Sequence, residues 1–136
     1  MNTQTPQRDT AALFAADKTN QQPSLMSSSS LDGNDVYNAQ GEDLGGVKDF
    51  MIDMRTGRIA YAVLSFGGLL GMGDKLFAVP WSALKLDTEN KRFTLDVKQA
   101  ALKDAPGFDK DQWPAMADPT WARSVHSFYG ASYNAN

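Results

Sequence analysis

The glycine-rich stretch at residues 66–81, FGGLLGMGDKLFAVPW, has a composition that must first be tested as a phosphate-binding loop. Gly68 and Gly73 have the spacing of a P-loop, but Asp74 stands at the position of the phosphate-binding lysine. A carboxylate at that position would repel phosphate. The dinucleotide-binding pattern fails as well, because Leu76 stands where its third glycine is required. The glycines therefore predict a wide turn between two strands.

Acidic side chains supply two further candidates, a calcium loop and a carboxylate pair. Residues 32–37 begin like an EF-hand loop, but a valine occupies the fifth position and no glutamate occupies the twelfth. Asp49 and Asp53 are four residues apart on one predicted strand and could face the same side, as two catalytic carboxylates of a glycosidase do. No sequence feature builds a cleft around them. Ion pairs with Arg55 or Arg58 explain these carboxylates without catalysis.

Nucleophilic catalysis also lacks the residues that it requires. The chain contains no cysteine, which excludes thiol nucleophiles, disulfides and cysteine-based metal sites. Its one histidine, His126, lies on a predicted helix, and no Gly-x-Ser-x-Gly elbow accompanies it. The sequence therefore predicts a non-enzymatic protein with no catalytic, metal-binding or cofactor-binding residues.

Composition limits the classes of partner. The net charge of −3 and the scattered Lys and Arg residues argue against nucleic-acid binding. The longest apolar run, residues 59–72, is interrupted by glycines and is shorter than a membrane span. The N-terminus lacks the long apolar core of a signal peptide. We therefore expect no membrane span and a cytoplasmic location.

Short strand-like runs separated by turns dominate the middle of the chain. Residues 47–54 and 59–66 flank a turn and predict a hairpin, and a second hairpin is predicted from residues 83–86 and 92–97. Residues 76–81 form a continuous apolar run, which is typical of a buried strand. The many short strands predict a small, strongly bent antiparallel β-barrel, which would leave few sheet edges exposed.

The two ends of the chain differ from this β-rich region. Residues 1–30 are rich in Ser, Thr, Gln and Asn and predict a flexible tail, while the barrel is expected over residues 31–105. Residues 106–136 predict a C-terminal extension, with a helix that begins at Asp118-Pro119 and ends at Gly130. Trp121, Val125 and Phe128 share one side of that helix, so we expect the helix to pack on the barrel. The residues predicted to fill the barrel interior are Phe50, Ile52, Tyr61, Phe77, Phe93 and Leu95.

Three large apolar residues in the glycine-rich turn, Leu69, Leu70 and Met72, form the candidate interaction surface. A monomer seldom leaves such a cluster in water. Two interpretations stay open: the side chains fold back and plug one end of the barrel, or they contact a second copy or a partner protein.

In order along the chain, residues 35–97 resemble the PRC-barrel domain family. The resemblance is carried by Val36-Tyr37-Asn38, Gly41-Glu42-Asp43-Leu44-Gly45, Asp49-Phe50-Met51-Ile52-Asp53, the run from Thr56 to Gly68, and Lys75-Leu76-Phe77-Ala78-Val79-Pro80-Trp81. Residues 106–110, Trp113-Pro114 and Tyr129-Gly130 are similar to extensions of free-standing bacterial members. The resemblance implies a small bent β-barrel used for docking, and it offers no catalytic residue to carry over. The expected function is a protein-interaction module, a homodimer with an unidentified partner. The alternative is a barrel that binds a small ligand.

Overall fold

The computed structural model describes residues 25–31, 33–67 and 74–133. Within them lie seven strands: β1 (Asp35–Tyr37), β2 (Asp43–Asp53), β3 (Arg58–Gly67), β4 (Asp74–Pro80), β5 (Leu84–Asp87), β6 (Arg92–Leu95) and β7 (Gly107–Phe108). The α-helices are α1 (Ser28–Leu31), α2 (Gln99–Leu102) and α3 (Pro119–Phe128), and a single 3₁₀ turn, Trp81–Ala83, follows β4.

One mixed sheet contains all seven strands, in the order β5-β6-β1-β2-β3-β4-β7. Both predicted hairpins are present as β2–β3 and β5–β6, and both are antiparallel. The pairing of β1 with β6 is parallel, so the sheet is not antiparallel throughout as predicted. Among the described residues, hydrogen bonds do not join β5 to β7, and the barrel is therefore not closed by strand pairing.

Aromatic side chains connect parts of the bent sheet that hydrogen bonds leave unjoined. The Trp81 ring lies between Phe50 of β2 and Phe93 of β6, with centroid distances of 5.9 Å to each and edge-on geometry. Such T-shaped contacts stabilise beyond the area that they bury. Behind them lies the main core, which includes the fully buried Phe77 and Leu64.

The C-terminal helix has the boundaries and the packing that its sequence predicts. Asp118 caps α3 by accepting a hydrogen bond from the Thr120 N–H at 3.0 Å, and Gly130 follows the helix with a φ of +67°. Val125 is fully buried against Tyr61 and Ala78 of the sheet. The helix therefore covers the face of β3 and β4 that points away from the main core.

A buried asparagine fixes the turn between β1 and β2. Asn38 donates to Glu42 Oε1 at 2.7 Å and to the Val97 carbonyl at 3.0 Å, and its own carbonyl accepts from the Glu42 N–H. Glu42 Oε1 also accepts from the Gln99 N–H, and these hydrogen bonds hold the pKa of Glu42 below its usual value. The network joins β1, β2 and α2, so these residues, which lie in the segment resembling the PRC-barrel family, have a structural role.

Strand β2 bends away from regular geometry at Gly45. This residue has a φ of +104°, and a side chain there would overlap the backbone carbonyl of Ser65 in β3. Only glycine combines this backbone conformation with such a close approach of two strands. The ladder between β2 and β3 then shifts register twice, near Lys48 and near Ile52, which bends the hairpin.

Two further predictions differ from the structure. Ile52 was predicted to fill the barrel interior, but it is 54% exposed, because β2 and β3 continue past the last residue of β4 that pairs with them. Of the other predicted interior residues, Phe77, Phe93 and Leu95 are buried in the main core and Phe50 is half-buried against it, whereas Tyr61 is buried on the opposite face of the sheet, under α3. Within the segment predicted as a tail, residues 25–30 are described; Met26 packs against the core and Ser30 is buried.

Candidate interaction surface

The outer side of β2 beyond Val47 has no neighbouring strand among the described residues. Strand β1 pairs with β2 only from Asp43 to Gly46, and two further backbone hydrogen bonds join Val47 to Gly33 and Asn34. Residues 48–53 pair with β3 on one side alone. In an antiparallel strand, alternate backbone groups point to opposite sides. Half of the backbone groups of residues 48–53, named here the open edge, therefore face away from the sheet.

Apolar side chains accompany the open edge. Ile52 lies opposite Ile59 across the hairpin, on the side of the sheet that carries Phe50. Phe50 packs against the core on this side, whereas Ile52 lies beyond the end of β4 and is exposed. Met54, the first residue of the hairpin tip (residues 54–57), is 88% exposed. The hairpin therefore carries an exposed apolar surface beyond the end of β4.

Charged groups surround this surface and are held locally. Arg55 donates to Asp53 through its side chain, with the ion pair at 3.2 Å, and through its backbone N–H at 2.9 Å. These hydrogen bonds hold the pKa of Asp53 below its usual value. Asp49 Oδ1 accepts from the Phe50 N–H at 2.8 Å, so a side chain occupies one backbone donor of the strand. The edge carries Lys48 and two carboxylates, and the tip adds Arg55.

The ion pair that was predicted for the carboxylates forms at one of them. Asp53 is paired with Arg55, as expected from the sequence, whereas Asp49 hydrogen-bonds its own backbone neighbour. Each carboxylate therefore has a local partner.

His126 belongs to an aromatic cluster on the side of the molecule covered by α3. Its Nδ1 donates to the Ala122 carbonyl at 2.7 Å, and its ring contacts Tyr61 and Tyr133 at centroid distances of 5.5 and 5.1 Å. Burial is the main cause that raises the pKa of Tyr61 to about 12. These contacts support a structural role for the histidine.

The predicted interaction residues Leu69, Leu70 and Met72 lie outside the described residues. They follow the C-terminal end of β3, whereas the hairpin tip precedes its N-terminal end. The prediction for Leu69, Leu70 and Met72 therefore stays a prediction.

Neither the surface pocket nor the grouping of acidic and histidine side chains indicates a catalytic or metal-binding site among the described residues. A surface pocket of about 380 Å³ is lined by Asp109, Lys110, Asp111 and Gln112, all exposed. It does not reach the barrel interior, which its own side chains fill. Among the described residues, no three acidic or histidine side chains are grouped so that they could hold a metal ion. None of the helices in that part of the chain has the length and apolar character needed to cross a membrane.

Sequence reasoning missed the open edge and Met54. The signal lay in the strand lengths, because β1 has three residues and β2 has eleven, so β1 cannot cover its neighbour. The residues that would have to extend β1 along the rest of β2 precede Asp35, and there the chain forms α1, with Leu31 buried. Local sequence patterns do not contain that information.

Comparison with known proteins agrees with this fold. The family model of the PRC-barrel domain matches residues 23–102, more than half of the chain. No curated protein matches the sequence. The match includes β1 to β6, α2 and the residues of the Asn38 network. The chain therefore belongs to the PRC-barrel domain family.

Proposed function

We propose that this protein is a non-enzymatic docking module that binds other protein chains through the open edge and the hairpin tip. The observation that carries the proposal is the combination of an unpaired strand edge with exposed apolar side chains at Ile52 and Met54. Isolated exposed apolar residues are normal on protein surfaces. Here they adjoin backbone groups that can form a ladder with another strand.

Binding at such a site follows the known chemistry of strand addition. An extended segment that pairs with β2 gains main-chain hydrogen bonds, and its alternate side chains contact the apolar side of the hairpin. Affinity would come from the ladder and from covering Ile52 and Met54, whereas Asp49 and Arg55 would select the partner by charge.

The local contacts of the carboxylates favour docking over hydrolysis. A catalytic pair needs two carboxyl groups that converge on a substrate. Asp53 is engaged by Arg55 and Asp49 by the Phe50 N–H, so each carboxylate already has a partner within its own strand and turn. The cytoplasmic location expected from the sequence is part of the proposal, and cell fractionation tests it.

Site-specific photo-crosslinking in the native cell tests this function. A photoreactive amino acid replaces Met54 in one variant and Lys103, an exposed residue after α2, in a control variant. We expect a discrete crosslinked protein from position 54 and none from position 103. Adding Ile52→Asp to the first variant should abolish that product. Equal products from both positions, or a product insensitive to Ile52→Asp, would contradict the proposal.

A further inference from the structure

We propose that the open edge binds the open edge of a second copy of this chain, in an antiparallel β2–β2 pair around a two-fold axis. This inference rests on the docking function proposed above and names the occupant of the site. The sequence of the edge and tip, Lys48 to Arg55, carries both signs of charge and a central apolar run. A segment with that composition can be complementary to itself when it runs antiparallel.

Symmetry restricts how two copies can pair. The two-fold axis of such a pair is perpendicular to the sheet, so each face of one strand continues into the same face of the other. Directly opposite residues of an antiparallel pair also project to the same face. Both conditions hold only when one residue of β2 lies opposite the same residue of the second copy. The residues near the middle of the edge that could do so are Phe50, Met51 and Ile52.

Charge selects among these three registers. With Met51 at the axis, Asp49 would lie opposite the partner's Asp53, and like charges directly opposite are destabilising. With Phe50 at the axis, Lys48 would lie opposite the partner's Ile52 and gain no carboxylate. With Ile52 at the axis, the ladder runs from Met51 to Asp53, the partner's hairpin tip with Arg55 lies beside Asp49, and symmetry repeats this contact between opposite charges. The Arg55 side chain is 73% exposed, so it can turn toward the second copy.

The Ile52 register also covers the exposed apolar side chains. Ile52 lies opposite the partner's Ile52, and Phe50 lies beside the partner's hairpin tip, which carries Met54. In the monomer Phe50 is half-buried, and Ile52 and Met54 are exposed. Charge pairing and apolar cover thus select the same arrangement, which joins the two sheets through their β2 strands.

Sedimentation velocity with charge-reversal variants tests this interface. The concentrations run from about 1 µM to about 1 mM, the range in which small interfaces associate. We expect the wild-type chain to dimerise with rising concentration. Asp49→Arg and Arg55→Asp, each alone, place like charges across the axis twice and should weaken dimerisation by about tenfold or more. Mixing the two variants sets opposite charges across both positions, so the mixture should form heterodimers.

Recovery in the mixture is specific to an interface between two chains, because no change within one chain can produce it. Lys85→Glu, on exposed Lys85 of the terminal strand β5, is the control and should dimerise like wild type. Circular dichroism checks that each variant is folded. A wild-type chain that stays monomeric at the highest concentration, or a mixture no more dimeric than its components, would overturn the proposal. Such results would leave the crosslinking test of the docking function independent, since that test detects any partner.

Discussion

Two parts of the β2–β3 hairpin differ in burial. Tyr61, in the middle of β3, is covered by α3, whose Val125 and Trp121 pack against it. Ile52 and Met54, a few residues away at the hairpin end, have no such cover among the described residues and are exposed. Both regions are apolar in sequence. The described part of the C-terminal extension therefore covers the middle of the hairpin and not Ile52 and Met54 at its end.

A matched pair of aspartate substitutions gives the largest expected contrast. Val125→Asp places a carboxylate in a fully buried site without a partner and should cost about 4 kcal/mol or more of unfolding free energy. Met54→Asp, at an 88% exposed site, should change that free energy by less than about 0.5 kcal/mol. Urea unfolding measures both variants. Comparable losses in the two would mean that the hairpin tip is also part of the core.

Trp121→Ala probes how strongly α3 covers the hairpin. Trp121 is half-buried, with its ring centroid 5.4 Å from that of Tyr61, so its removal should cost about 2 to 3 kcal/mol. Unchanged stability would show that the helix does not cover the sheet.

The same variant has a second readout in the titration of Tyr61. Burial raises the pKa of Tyr61 to about 12, so its contribution to stability is present below about pH 10 and is lost as pH rises through about 12. Opening the site in Trp121→Ala should lower that pKa toward its ordinary value. Tyrosinate absorbance during an alkaline titration measures the shift, and the same titration of Met54→Asp should match wild type.

Two N-terminal deletions separate the predicted tail from the core. Removing residues 1–24 should change the melting temperature by less than about 2 °C, because those residues are poor in apolar side chains. Removing residues 1–31 also removes Met26, Ser30 and the buried Leu31, and should lower it by roughly 10 °C. Differential scanning calorimetry measures both. A large loss from the shorter deletion would show that residues 1–24 contribute to the fold.

The smallest expected effect concerns the hydroxyl of Tyr129. This group is buried and has no hydrogen-bond partner among residues 25–31, 33–67 and 74–133, and burial raises the pKa of Tyr129. Tyr129→Phe should therefore leave stability unchanged or raise it by up to about 1 kcal/mol. Chemical denaturation provides the measurement, with Tyr133→Phe as the control. A clear loss of stability would indicate that a bound water satisfies the hydroxyl.

The fold was predictable where local chemistry decides it. Alternating side chains and turn residues identified both hairpins, and Asp118-Pro119 and Gly130 fixed the ends of α3. The resemblance to the PRC-barrel family was also readable from the residues. The parallel contact between β1 and β6 could not be predicted from the sequence, because it joins Val36 to Phe93 across a long separation.

The candidate site was less predictable than the fold. Alternation placed Ile52 correctly on the core-facing side of β2, but it gave no information on where β4 ends relative to that residue. The exposure of Ile52 depends on where the neighbouring strand β4 ends. The predicted surface at Leu69, Leu70 and Met72 was read from composition, and aspartate substitutions at Leu69 and Leu70 still test it.

A dilution series followed by amide chemical shifts tests most directly the claim that the open edge meets a second chain. Backbone amides of ¹⁵N-labelled protein are recorded from about 1 mM down to about 20 µM, a range that brackets weak association. We expect concentration-dependent shifts at residues 48–55, with the amides of β5 and α3 unchanged. Shifts that are independent of concentration along the open edge, or that appear at α3 instead, would contradict it.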